Sequence, residues 1–219
     1  MLLLGFIWVL AAPLLLLLPF ALLARLLHRA RPQWPRRARW GLAAALTAAA
    51  VLALWLPARL RFAQQCAALG APHIDARAQA DGFFLDDSTA NSFGMRYLQE
   101  EGFAWIEARS IYRRGGFTRY RKAGERIEEE EIDALTAAYV VKSQREAQPG
   151  GISTLRTTVS ERASGRVLAS AASARFDGGA AKWVLGIFGD AQCPNLTTSA
   201  GSAAFRAENH LARDTLRGP

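Results

Sequence analysis

The chain has 219 residues, 51% of them apolar, and a formal net charge of +8. The whole excess lies in residues 1–61, which hold eight Arg and no Asp, Glu or Lys; the remaining residues balance 19 basic against 19 acidic side chains. A nucleic-acid-binding domain carries its basic excess on its folded part, so this distribution gives no support to that class, and no nucleic-acid partner is predicted.

The first element in chain order is an apolar run over residues 2–24 without a charged side chain. At about 1.5 Å per residue, a helix of this length crosses the roughly 30 Å hydrocarbon core of a bilayer. A second uncharged run, rich in Ala, covers residues 41–58 and predicts a second, shorter span. Residues 1–61 are therefore predicted to form a transmembrane hairpin with the lipid bilayer as its partner.

The link between the two runs predicts the orientation of the hairpin. Residues 25–40 carry six Arg and no acid, against only Arg59 and Arg61 beyond the second run. Because positive loops stay in the cytoplasm, the link is predicted to be cytoplasmic. With a composition typical of bacteria, this predicts an inner-membrane protein with both termini in the periplasm. A cleaved signal peptide is disfavoured because the Arg residues follow the apolar run instead of preceding it.

Period-two patterning dominates the chain beyond the hairpin. Apolar and polar residues alternate over residues 103–111, and Gly115-Gly116 predicts a turn into a second strand at 117–122. Further strand-like segments are 138–146, 152–162 and 166–176. The expected fold class is α+β, an antiparallel sheet of about four to six strands with one or two helices.

Two further segments complete the predicted domain organisation. Residues 62–198 form the exported α+β domain, and residues 199–219 form a polar C-terminal tail that frays at its end. The apolar run at 180–188 is expected to be buried, but its pattern leaves open whether it is a helix or a strand.

The chain contains two cysteines, Cys66 and Cys193. An even count in an exported domain predicts a disulfide between them; the alternative is two free, buried thiols. Metal ligation has little support, since the domain's histidines are His73 and His210 alone and neither belongs to a metal-binding motif. No metal site and no cofactor are predicted.

The most unusual stretch is residues 112–133, where basic and aromatic side chains are followed by a run of acidic ones. Two interpretations stay open: the opposite charges neutralise each other on paired strands, or the basic block binds a protein or anionic envelope partner. The candidate binding residues are Tyr112, Arg113, Arg114, Phe117, Arg119, Tyr120, Arg121 and Lys122. No nucleophile–base motif is present, so no catalytic residue is predicted.

The order of features resembles small, uncharacterised bacterial envelope proteins. The shared features are Cys66 after the apolar helix, Gly-Phe-Phe-Leu at 82–85, Tyr-Leu-x-x-x-Gly-Phe at 97–103, Trp-Ile-Glu at 105–107, Gly-x-Val-Leu-Ala at 165–169, Gly178-Gly179 and Cys193. The resemblance covers about two thirds of residues 62–219 and implies an exported fold, with no activity or catalytic residue attached to it.

These observations predict a membrane-anchored envelope protein without catalysis. Its periplasmic domain binds a protein or an envelope polymer, as an immunity protein or an accessory subunit of an envelope apparatus would. The alternative is an envelope hydrolase or transferase whose active site is assembled from residues distant in sequence.

Overall fold

The computed structural model describes residues 17–86, 90–124 and 126–217. The chain divides into two compact units, and strands β6, β7 and β8, defined below, contribute residues to both. Of the described residues, one unit comprises 17–67, 147–153 and 174–192, and the other comprises 68–86, 90–124, 126–146, 154–173 and 193–217.

The N-terminal helices differ from the predicted hairpin. A helix over residues 17–30 (α1) is followed by one continuous helix, Arg36–Ala68 (α2). Among the described residues, α2 is the one helix long and apolar enough to cross a membrane, by length and composition. The described part of α1 spans only about 21 Å. Residues 2–16 of the predicted first run lie outside the described residues. The two-helix transmembrane hairpin is therefore wrong as predicted.

A large mixed sheet forms the core of the fold. Nine strands are joined in the order β1-β8-β7-β6-β2-β3-β4-β5, with β9 paired to β8. Their bounds are His73–Ile74 (β1), Gly82–Asp86 (β2), Trp105–Arg109 (β3), Phe117–Ala123 (β4), Arg126–Ile132 (β5), Tyr139–Gln148 (β6), Ile152–Glu161 (β7), Val167–Asp177 (β8) and Asp190–Cys193 (β9). The antiparallel sheet of four to six strands is thus wrong, since β2 runs parallel to both β3 and β6.

Strand β2 is central, and its burial explains why its sequence shows no strand periodicity. All residues of Gly82–Leu85 are buried, so side chains on both faces are apolar and no alternation with polar residues remains. Position 82 requires glycine, because a Cβ there would collide with the indole and the backbone oxygen of Trp105 on β3. The segment therefore presents a short apolar run instead of an alternating one.

Helices cover the sheet in the second unit. Helix α3 (Ala90–Gln99) contacts β2, β3 and β4. The other helices of this unit are α5 (Ser199–Asn209) and α6 (Leu211–Leu216), whereas the single helical turn α4 (Lys182–Leu185) belongs to the first unit. One buried cluster joins α3 and α6 to the inward side chains of the strands, including Phe83, Leu98, Ile106, Leu211 and Leu216.

Two segments in the C-terminal part of the chain differ from the structure that the sequence predicts. Residues 199–216, predicted as a polar tail, form α5 and α6, and Leu211 and Leu216 are buried. The apolar run at 180–188 is helical, with α4 flanked by 3-10 turns, but Trp183 is 56% exposed instead of buried. Small residues (four Ala, two Ser and one Gly) make up most of α5, and Phe205 is its one large apolar side chain, so the sequence shows no clear apolar stripe.

Cys66 and Cys193 are disulfide-bonded, which confirms the predicted pairing. Cys66 belongs to the last turns of α2, and Cys193 is the last residue of β9. The bond therefore closes a loop of the chain that contains nearly all of the sheet.

Candidate functional site

The basic and acidic blocks of residues 112–133 form strands β4 and β5 and the loop before β4. Antiparallel pairing places Arg119 opposite Glu130 and Arg121 opposite Glu128. The Arg121 guanidinium lies 3.4 Å from a Glu130 carboxylate oxygen. Opposite charges directly across a strand pair stabilise the pairing, so the two blocks face each other as the neutralising interpretation expects.

The eight candidate binding residues do not form one surface. Tyr120 is buried in the core, and Phe117 packs edge-on against Phe84 with 5.8 Å between the ring centroids. The Arg119 side chain is only 14% exposed. The candidates with open side chains are Tyr112, Arg113, Arg114, Arg121 and Lys122. Burial thus removes three of the eight from direct contact with a partner.

Arg119 is held by Glu107, a residue that the sequence did not single out. Glu107 is fully buried on β3, and its Oε1 accepts a hydrogen bond of 2.6 Å from Arg119 Nη2. The Thr136 hydroxyl donates to Oε1 at 2.7 Å, and the N–H groups of Thr136 and Ala137 donate to Oε2, each at 3.0 Å. Burial alone raises the pKa of Glu107, but the hydrogen bonds outweigh it and hold the pKa below its usual range.

The most exposed part of the candidate stretch is the loop between β3 and β4, residues 110–116, which we call the hairpin tip. Ile111 is 59% and Tyr112 is 75% exposed. The Ser110 hydroxyl accepts hydrogen bonds from the N–H groups of Tyr112 and Arg113 and donates to Glu131. These bonds fix the backbone of the tip while its apolar side chains face solvent.

The hairpin tip contains two arginines, and only one of them is held by a carboxylate. Arg113 binds Asp133, with both terminal guanidinium nitrogens 3.0 Å from one carboxylate oxygen. Arg114 is exposed, and no ion pair to it is found within the described part of the chain. Gly115 follows with a φ of +79°, which an L side chain adopts only with strain. The tip therefore presents two apolar side chains beside one open guanidinium.

A second cluster of ionisable groups lies where α3 meets the junction of α5 and α6. The Glu101 carboxylate is almost fully buried, and its Oε1 lies 3.2 Å from both Arg96 Nε and His210 Nδ1. Its Oε2 is buried without a hydrogen-bond partner in the described structure. Burial raises the pKa of Glu101, although the nearby Arg96 and His210 act to lower it. The sequence analysis considered His210 only as a metal ligand and missed this cluster, because His210 lies 109 residues after Glu101 in the chain.

Glu208 on α5 is a third buried carboxylate, and its effect on stability can be measured. Burial raises its pKa, which the hydrogen bond from the Ser173 hydroxyl (2.9 Å) only partly offsets. Its stabilising contribution is therefore complete below the ordinary pKa of Glu and is lost as the pH rises through the raised value in the folded state. Gln imitates the protonated form and still accepts the Ser173 bond.

We expect Glu208→Gln to stabilise the domain at neutral pH by on the order of 1 kcal/mol, with a gain that disappears toward about pH 4. Urea unfolding at both pH values measures it. Glu100→Gln, at an exposed position, serves as the control and is expected to show no such pH-dependent gain. A loss of stability in Glu208→Gln at neutral pH would contradict the prediction.

The described structure thus combines an apolar helix of membrane-spanning length with a mixed nine-stranded sheet and an exposed tip whose backbone is hydrogen-bonded to Ser110. Within its described residues, no group of three or more His, Cys, Asp or Glu residues is able to hold a metal. No protein-family model, no curated protein and no solved structure matches this chain. The resemblance to bacterial envelope proteins accordingly stays a prediction.

Proposed function

We propose that this chain is a membrane-anchored protein whose exported domain binds a protein partner through the hairpin tip. The observation that carries the proposal is the exposure of Ile111 and Tyr112 on a backbone fixed by Ser110. Tyr and Arg are both enriched in protein interfaces, and the rigid Tyr ring buries a large area at a small entropic cost.

Membrane anchoring is supported by helix α2. The apolar 18-residue stretch of α2 is only 6% buried. Leu52, Leu54 and Leu60 are each more than half exposed. A core helix of a soluble protein would bury such side chains. Six Arg precede the uncharged run of α2 and two follow it, so a single span places the Arg-rich side in the cytoplasm and the residues after α2 outside. The disulfide supports the same placement, because oxidising compartments preserve such bonds.

A protein partner is favoured over an anionic polymer by the charges around the hairpin tip. Arg113 is already bound by Asp133, and the Glu131 carboxylate, which accepts a hydrogen bond from Ser110, lies 3.9 Å from the same guanidinium. A polyanion would be repelled by these carboxylates. A protein that offers an apolar pocket to Tyr112 and a carboxylate to Arg114 fits the same surface.

The experiment places a photo-crosslinking amino acid at position 112 of the full chain in its native membranes. We expect a discrete adduct at 112 and none at the control position Val167, which is also exposed but lies on β8. The double variant Ile111→Ser/Tyr112→Ser is expected to weaken partner binding by about thirtyfold or more, a hot-spot loss of about 2 kcal/mol. Because both side chains are exposed, the melting temperature is expected to stay within about 2 °C.

Two results would contradict this proposal. Equal adducts at 112 and 167 would show that the tip has no special contact. An adduct that survives exhaustive protease treatment would identify an envelope polymer instead of a protein.

A second candidate, an envelope hydrolase or transferase, is favoured by the Glu101–His210 pair. A buried carboxylate beside a partly exposed imidazole can orient the ring, as a general base requires. The crosslinking experiment separates the candidates, because the hairpin tip and this pair have no residue in common. Binding that depends on Tyr112 supports the first candidate.

A further inference from the structure

A cleft of about 510 Å³ lies between α1 and the first turns of α2. Its volume falls within the roughly 300–1,000 Å³ of small-molecule pockets. Phe20, Ala21 and Ala24 form an apolar wall on α1, and Trp40 closes the opposite side from α2. The rings of Phe20 and Trp40 meet edge-on, with 5.3 Å between their centroids. This part of the cleft can hold hydrocarbon.

The opposite end of the same cleft is basic. Arg25, Arg36 and Arg39 line it together with His28. The Arg36 guanidinium lies over the Trp40 ring, 5.5 Å from its centroid, and Arg39 is hydrogen-bonded to His28. The sequence has no acidic residue before Asp75, so no carboxylate from this part of the chain neutralises the three guanidinium groups.

We propose that this cleft binds an anionic phospholipid, with the headgroup phosphate at the three guanidinium groups and the upper part of an acyl chain against the apolar wall. Guanidinium groups bind phosphate through paired, charge-assisted hydrogen bonds. Basic pockets beside membrane helices select anionic headgroups by the same chemistry. The inference rests on the proposed membrane anchoring, and it adds a lipid class to it.

The sequence provides a charge-matched control for the test. Arg29, Arg31 and Arg37 belong to the same basic segment but do not line the cleft. The triple variants Arg25→Gln/Arg36→Gln/Arg39→Gln and Arg29→Gln/Arg31→Gln/Arg37→Gln therefore remove equal charge. Only the first removes it from the proposed site, so general attraction to an anionic bilayer is held constant.

The measurement counts lipids bound to the purified full chain in detergent, by native mass spectrometry, with phosphatidylglycerol and phosphatidylcholine added in equal amounts. We expect the unmodified chain and the control triple variant to prefer phosphatidylglycerol by about tenfold, which corresponds to about 1.4 kcal/mol. The cleft triple variant is expected to lose that preference. Ala21→Trp, which fills the apolar wall without changing charge, is expected to reduce binding of both lipids.

Equal loss in the two triple variants would overturn the proposal, because it would show diffuse attraction instead of a site. Displacement of phosphatidylglycerol by millimolar inorganic phosphate would overturn it as well, since the cleft would then select free phosphate. Membrane anchoring is scored separately by extraction of membranes with alkaline carbonate. Release of the chain by carbonate would refute the anchoring while the lipid preference in detergent is still measured.

Discussion

Replacing Glu107 by Gln is expected to lower the free energy of unfolding by about 3–5 kcal/mol, the typical cost of removing one partner of a buried ion pair. The Arg119 guanidinium would keep its largely buried place with only the more distant Glu130 carboxylate, 4.0 Å away, as a counter-charge. The amide would also present an N–H₂ group to hydrogen-bond donors that now meet a carboxylate oxygen. Urea unfolding of the purified chain, monitored by fluorescence, measures the change.

The matched control for this effect is Glu128→Gln on β5. Glu128 is exposed, and its loss is expected to change stability by less than about 0.5 kcal/mol. Since hydrogen bonds lower the pKa of Glu107, its contribution is present above the ordinary Glu pKa and lost as the pH falls through the lowered value. The difference between the unmodified chain and Glu107→Gln is therefore expected to shrink in acid. Equal effects of the two substitutions at neutral pH would contradict the role assigned to Glu107.

Loss of the Cys66–Cys193 bond is expected to be the other large effect. Crosslinks that close long loops typically contribute about 2–5 kcal/mol, because they restrict the unfolded chain. Cys66→Ser, Cys193→Ser and the double variant are all expected to lose the same amount, since any one of them removes the whole bond. A reductant is expected to destabilise the unmodified chain to the level of the double variant, and to leave the double variant unchanged.

Thiol titration of the unfolded, unreduced chain is the direct check on this bond. We expect no reactive thiol in the unmodified chain and one in each single variant. Two reactive thiols in the unmodified chain isolated from its native membrane would contradict the bond, and would also weaken the proposal that the domain is exported.

The sequence predicts five of the nine strands: β3 from its alternation, β4 from the Gly115-Gly116 turn before it, and β6, β7 and β8 as strand-like segments separated by turn residues. Strand β5 was not assigned because four consecutive Glu residues have low strand propensity. It forms because β4 presents Arg119 and Arg121 opposite those carboxylates. Tertiary pairing supplies what local propensity lacks, and that pairing cannot be found from a single segment.

The candidate site was predictable to the same limited extent. Tyr112 and Arg114 stand out in sequence because basic and aromatic side chains are concentrated around a Gly-Gly turn, and the structure leaves both exposed. Arg119 belongs to the same basic and aromatic stretch, yet its side chain is largely buried and paired with Glu107. Only the register of β3 against β4, which sets these two residues opposite each other, distinguishes a structural arginine from an available one.

The N-terminal helices show a different limit. Two uncharged runs predicted two spans, but the structure extends the second run at both ends into the single helix α2, through Pro57. Hydropathy measures whether a segment can dissolve in lipid. It does not show where a helix begins or ends, because charged residues such as Arg36 and Arg61 continue a helix as readily as Leu does.

The position of α6 has a consequence for the order of folding. Leu211 and Leu216 fill the interior beside Phe83 and Ile106, which lie more than a hundred residues earlier in the chain. Strand β1 likewise pairs with β8, and β2 pairs with β6. Contacts between residues so distant in sequence form slowly, because a long stretch of chain must first be brought together. The buried cluster is therefore expected to form in one late step that requires the chain through Leu216, and not strand by strand from the N-terminal side.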